Sequence, residues 1–161
     1  MLSNREFSGR VAAEQYPDQV EVPLDEPFAN QSGKIQNLLL ERFTSAAIIE
    51  SVAGSARANH YHKTDWHYSY VVSGKIQYYW RPAGGREEPK SAVFPAGTMF
   101  FTPPMVEHAM FFPEATSFIT FARNIRDHEH HESDVIRVKL IEVRPDPNQA
   151  NSWVVNFPVA P

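Results

Sequence analysis

The stretch that decides the fold is Gly54-Ser55-Ala56-Arg57-Ala58-Asn59-His60-Tyr61-His62-Lys63-Thr64-Asp65-Trp66-His67-Tyr68-Ser69-Tyr70-Val71-Val72-Ser73-Gly74. It has no helical pattern. It ends on Ser73-Gly74, a tight-turn signal, because glycine takes positive φ without a steric penalty. His60 and His62 are two residues apart. On a strand, side chains alternate between faces, so the two rings share one side about 6.5–7 Å apart along the chain. Two imidazoles on one face can converge on an ion with bonds of about 2.0–2.1 Å. They can equally be buried or surface histidines that only hydrogen-bond, and the pair alone leaves both readings open.

What surrounds the pair favours the metal. Gly54, five residues, His60, one residue, His62, four residues, His67, six residues and Gly74 follow in order. Further on come Gly97, five residues, Pro103, Pro104, Met105, two residues and His108. These two segments resemble the first and second motifs of the cupin superfamily, and the resemblance covers residues 45–125. It implies an all-β, antiparallel double-stranded β-helix, the jelly-roll barrel. It also implies that His60, His62 and His108 hold a divalent transition metal. The family's metal-binding glutamate falls at His67 in this chain, which makes His67 a fourth expected ligand. Met105 stands where the family usually has glycine, and Phe112 where it often has asparagine. Asp65, in the same loop but off the motif, is the competitor to His67.

A centre built from imidazole alone would carry the ion's charge uncompensated, which favours an anionic substrate group or hydroxide on the metal. Such ligands suit zinc, iron(II), nickel or copper and disfavour magnesium and calcium. Three more histidines, His128, His130 and His131, crowd Asp-His-Glu-His-His-Glu. That segment reads as a solvated connector between strands, not as a site.

Outward from the motifs, short β-branched and aromatic runs alternate with turn signals, as in an antiparallel barrel. They include Lys75–Arg81, Thr98–Thr102, Ser117–Arg123 and the nearly alternating Val135–Val143. Residues 34–143 form the expected barrel, and residues 144–161 a C-terminal extension. Pro17, Pro23 and Pro27 mark residues 1–33 as an extended arm. Helical signal is weak and confined to parts of that arm such as Arg10–Gln15. The many aromatics predict a ring-lined cavity, with Tyr78, Tyr79 and Gln77 as the polar groups to watch, and outer-face rings suited to a homodimer.

The 161 residues carry a formal charge of −4, with no basic run, which argues against nucleic-acid partners. With Cys 0, disulfides and thiolate chemistry are excluded. No stretch is long and apolar enough to span a membrane, so the expectation is a soluble, cytoplasmic protein with a small-molecule substrate.

Three functions compete. The first is a metal-dependent enzyme on a small organic, aromatic or polyketide-like molecule, working by Lewis-acid cyclisation or isomerisation or by dioxygenation. The His67 substitution resembles small single-domain polyketide cyclases with four histidine ligands. The second is a non-catalytic ligand-binding cupin. The third drops the metal: Arg57-Ala58-Asn59-His60 is similar to the Arg-Gly-Asn-His segment of cupins that isomerise nucleotide-linked sugars. There His60 or His62 would carry protons, with Arg57, Arg81 and Lys75 as the phosphate candidates.

Overall fold

Alternating burial in the middle of the chain builds the protein. The computed structural model describes residues 16–159. Its strands are β1 (Glu21–Val22), β2 (Phe28–Asn30), β3 (Gly33–Ile35), β4 (Ser45–Ser51), β5 (Ala56–His62), β6 (His67–Ser73), β7 (Lys75–Pro82), β8 (Lys90–Pro95), β9 (Met99–Thr102), β10 (Val106–Phe111), β11 (Thr116–Ala122), β12 (Val135–Arg137), β13 (Glu142–Pro145) and β14 (Trp153–Asn156). One helix, α1 (His128–Asp134), precedes β12. Among the described residues no helix is long and apolar enough to cross a membrane.

Two five-stranded sheets form, ordered β1-β9-β6-β11-β4 and β12-β5-β10-β7-β8. Every pairing is antiparallel, which is the expected jelly roll. Between the sheets, Val71, Ile76, Tyr78, Phe94, Phe100, Met110, Phe112 and Phe118 form one buried cluster. Each such side chain contributes about 1.5–3 kcal/mol by leaving water. The turn that joins β6 to β7 needs Gly74, whose φ is +79° and whose Cβ position is occupied by Ala115 O and Thr116.

Both outer faces are covered in part as well, though Ile48 and Val93 stay exposed. Trp66, Tyr68, Met99 and Phe101 lie under Val22, Leu24, Leu38 and Leu39 on the first sheet. Tyr79, Ala109, Phe111, Leu140 and Ile141 lie under Val143, Trp153, Val155 and Phe157 on the second. The chain therefore packs four apolar surfaces, and alternation alone does not say which faces the barrel interior.

Two elements differ from the sequence expectation. Val135–Val143 is not one strand. It breaks after Arg137 because the Asn59 side chain accepts from the backbone N–H of Leu140 and Ile141 at 3.1 and 2.9 Å and donates to Ile141 O at 3.1 Å. These bonds replace a sheet ladder. Helix forms at His128–Asp134, whereas Arg10–Gln15, where a turn was expected, lies outside the described residues. The expected boundaries at 33 and 143 fall within β3, paired to β2, and within β13, paired to β14.

Candidate functional site

The two strands that carry the histidines are neighbours. His108 on β10 pairs with His60 on β5 and, on its other side, with Trp80 on β7. A register shift opposite His108 and Ala109 makes a bulge in β5. Ala58 and Asn59 take φ of 68° and 54° there. Such a bulge re-aims the residues that follow it, here His60 and His62.

Ring centroids lie 4.8 Å apart for His60–His62 and for His60–His108, and 5.6 Å for His62–His108. One nitrogen from each of the three rings lies within 4.8 Å of the others. All three residues are buried, and all three are held neutral. Burial, followed by repulsion from neighbouring imidazoles, pushes His60 and His62 down to about 2. Burial, partly opposed by the Val106 carbonyl, brings His108 to about 4.

The hydrogen bonds show which lone pairs are free. His108 Nδ1 lies 3.0 Å from Val106 O, and a carbonyl only accepts, so the proton sits on Nδ1 and the Nε2 lone pair is available. Both ring nitrogens of His62 and Nδ1 of His60 are buried with no hydrogen-bond partner. His62 Nδ1 comes within 3.3 Å of Asp134 Oδ2 without hydrogen-bonding to it. Buried polar atoms left unpaired are costly, and three neutral imidazoles that converge fit a divalent transition ion.

His67 arrives beside this trio but outside it. It sits on the inner face of β6, paired with Thr102 and Ala122. Its centroid is 5.5 Å from that of His62 and 5.3 Å from that of His108. Arg126 Nη2 lies 3.0 Å from His67 Nδ1, so one of the two ring nitrogens is already engaged by a cation. Asp65 is not free to compete for a metal. Its Oδ2 accepts from Arg126 Nε at 2.8 Å and its Oδ1 from Asn124 N at 2.9 Å.

A roof closes the site. Asp134 accepts from Thr64 N at 2.9 Å, Thr64 Oγ1 at 2.7 Å and Asp65 N at 3.1 Å, which ties α1 to the β5–β6 loop. Asp127 caps α1 by accepting from His130 N at 2.9 Å. The His-rich run is thus a capped helix, not a plain connector. His128 and His130 are exposed, but the His131 ring stands 5.9 and 5.6 Å from His60 and His62. Sequence reasoning missed both His131 and Arg126.

Solved structures of low identity share this architecture. QdtA, a sugar 3,4-ketoisomerase from Thermoanaerobacterium thermosaccharolyticum in complex with TDP, is 18% identical with a TM-score of 0.57, over 70% of this chain and 82% of that one. A 3,4-ketoisomerase from Helicobacter canadensis is 13% identical with a TM-score of 0.59, over 70% and 85%. The dTDP-4-dehydrorhamnose 3,5-epimerase from Sulfolobus tokodaii is 16% identical with a TM-score of 0.54, over 65% and 69%. The fold is a cupin jelly roll. At these identities the likeness establishes the fold, and it gives no support to the narrower resemblance to polyketide cyclases. No protein-family model and no curated protein matches the sequence.

Inside the cupin barrel, Tyr78 is the one expected polar group that lies where it was placed. Its hydroxyl is 2.7 Å from Thr102 Oγ1 and its ring stacks on Trp80 at 5.4 Å. Burial pushes its phenol up. Tyr79 and Gln77 point the other way. Tyr79 packs against Phe157 under the β13–β14 hairpin and donates to Gln77 Oε1 at 3.1 Å. Both therefore lie outside the cavity, on a face that the C-terminal hairpin covers in part.

The phosphate candidates also lie elsewhere. Arg57 donates to Ser51 Oγ at 2.7 Å and to Glu50 O at 2.8 Å. Lys75 sits at the Gly74 turn, beside Thr116. Ser51 and Thr116 pair at one end of the barrel, whereas Ala122, paired with Ser45, lies beside His67 at the other. Arg81 pairs with Glu107 Oε2 at 2.7 Å.

Proposed function

We propose that this cupin is an enzyme that isomerises or cyclises a small carbonyl-bearing molecule, with a divalent transition ion of the zinc, iron or nickel kind held by His60, His62 and His108. The observation that carries this reading is the trio itself: three buried, neutral imidazoles whose ring nitrogens approach within 4.8 Å. Bound there, such an ion would supply Lewis acidity to a carbonyl oxygen. The chain's own residues set the surroundings. Tyr78, Trp80 and Phe100 give an aromatic wall that excludes water. The trio itself contains no carboxylate, so an ion held there would keep its charge and favour an oxygen anion.

A second reading has its own observation. His62 Nδ1 and the buried Asp134 carboxylate are 3.3 Å apart, the makings of an acid–base pair that needs no metal, and the similar structures include a 3,4-ketoisomerase in complex with TDP-4-keto-6-deoxyglucose. Against it, Arg57 and Lys75 sit toward the far end of the barrel, and Arg81, though one register step from His108, is tied up in its ion pair with Glu107. The expected homodimer belongs to the same proposal. Phe28 and Ile35 pair across the β2–β3 hairpin and are 64% exposed each, apolar surface that a second copy would cover.

The test is deuterium exchange. Protein loaded with metal and protein stripped by chelator are each incubated in D2O with simple ketones, an aromatic β-diketone and TDP-4-keto-6-deoxyglucose. Loss of the proton α to the carbonyl is followed by NMR. The proposal expects exchange in the loaded protein only. Equal exchange in both supports the metal-independent reading, and saturable binding with no exchange anywhere supports a non-catalytic binding cupin.

A further inference from the structure

The contact between Arg126 and His67 fixes more than a position. A guanidinium carries five N–H donors, no acceptor, and a permanent charge. The hydrogen bond from Arg126 Nη2 to His67 Nδ1, 3.0 Å long, therefore runs in one direction only, and Nδ1 is the acceptor. On a neutral imidazole the single remaining proton is then on Nε2. An imidazolium has a proton on both nitrogens and could not accept there, so the ring is neutral.

Arg126 cannot easily swing aside to release that nitrogen. Asp65, 2% exposed, accepts from its Nε at 2.8 Å. Its backbone N–H donates to Ser45 Oγ at 3.1 Å, and Ser45 Oγ donates to Asn124 O at 2.7 Å. His67 itself is 3% exposed on the inner face of β6. Two residues along the same face, Ser69 is fully buried, and its Oγ has no hydrogen-bond partner. One strand thus offers the interior an N–H whose polarity is set from behind and a hydroxyl still lacking a partner.

We infer that Arg126 fixes His67 as an Nε2–H donor that binds a carbonyl or carboxylate oxygen of the substrate beside the trio, in place of serving as a fourth metal ligand. The placement of that oxygen rests on the proposed function, because it takes the trio as the ion's holder. The tautomer does not. A metal ligand must present a lone pair to the ion and normally donates its other N–H outward. His67 has the reverse arrangement, with its lone pair on the outward nitrogen and its proton on the other. A fixed donor is what a carbonyl oxygen needs as negative charge develops on it, and removing such a donor costs about 10²–10³-fold in turnover. Arg126 acts through His67 and is a positioning residue.

The test uses the full chain labelled with 15N-histidine. Long-range 1H–15N correlation reads the tautomer of His67 in the metal-free protein, and substitution with 113Cd reads which imidazoles couple to the ion. The expected result is a His67 ring protonated at Nε2, with cadmium coupling to His60, His62 and His108 and none to His67. Acetate, used as the oxygen probe on the loaded protein, shifts the His67 Nε2–H resonance. Arg126→Gln loses the single tautomer, and Arg126→Lys, which keeps a cationic donor, restores it. His67→Ala retains one ion per chain while exchange on any substrate found active falls about 10²–10³-fold. Protonation at Nδ1, cadmium coupling at His67, an acetate-insensitive Nε2–H, or loss of the ion in His67→Ala overturns the inference. If the wild-type chain takes up no ion, the metal reading fails, and the tautomer in the metal-free protein still decides the role of Arg126.

Discussion

Asp65→Asn is the perturbation that most sharply tests how the roof is held. Asp65 is 2% exposed and its two oxygens accept from Asn124 N and Arg126 Nε at 2.9 and 2.8 Å. Asparagine keeps one carbonyl oxygen and turns the other into an NH2 group, so one of the two N–H groups now faces a donor. A hydrogen bond to a charged group contributes about 1.5–3 kcal/mol, and breaking a buried pair costs about 3–5 kcal/mol. The Arg126 side chain is 19% exposed, so water recovers part of its solvation. The expected loss is therefore near the lower range, about 2–3 kcal/mol. For a domain of this size each kcal/mol moves Tm by about 2–4 °C, which gives a drop of about 4–12 °C. Urea unfolding at neutral pH gives the free energy, and calorimetry gives Tm. In a cycle with Arg126→Gln the two changes should be strongly non-additive, because they remove one shared interaction. A loss under about 0.5 kcal/mol, the size of an ordinary surface substitution, would refute the idea that Asp65 holds the 124–126 segment over the histidines.

Acid should destabilise the metal-free protein. Folded pKa values of about 2 for His60 and His62 and about 4 for His108 lie below the unfolded value of about 6.5. From pH 6.5 down to 4 the unfolded chain thus binds more protons, and each histidine removes up to about 1.4 kcal/mol per pH unit. Urea midpoints of chelator-treated protein at successive pH values check this, and a flat profile would contradict neutral burial of the trio. Gly54→Ala should loosen the C-terminal hairpin, because Gly54 has φ +81° and its Cβ would overlap the Trp153 indole. A loss of about 1–3 kcal/mol, with altered Trp fluorescence, is expected, whereas wild-type stability would show that Trp153 does not pack there.

The parts of the site readable from sequence are those that depend on local geometry. His60 and His62 share a face because strands alternate, whereas His108 joins them only through the resemblance of Gly97–His108 to the second cupin motif. Arg126 was not readable, since its meaning depends on Asp65, 61 positions away, and on a loop that no periodicity describes. His131 stands beside the cluster on a helix capped by Asp127, and no motif in the sequence points to it. Gln77 and Tyr79 were misplaced for a different reason. Alternation separates two faces of β7, but both are covered at least in part, one by the barrel and one by the β13–β14 hairpin. The break in Val135–Val143 was hidden because a single side chain, Asn59, replaces the ladder.

Metal content tests the central claim most directly. Wild type, His60→Ala, His108→Ala and His67→Ala are reconstituted with zinc, iron(II) or nickel, desalted, checked for native unfolding behaviour, and analysed for bound ion. The account predicts one ion per chain in wild type and His67→Ala, and loss of that ion in His60→Ala and His108→Ala. A wild-type chain that binds none of the three metals, or a folded His108→Ala that keeps its ion, would contradict it.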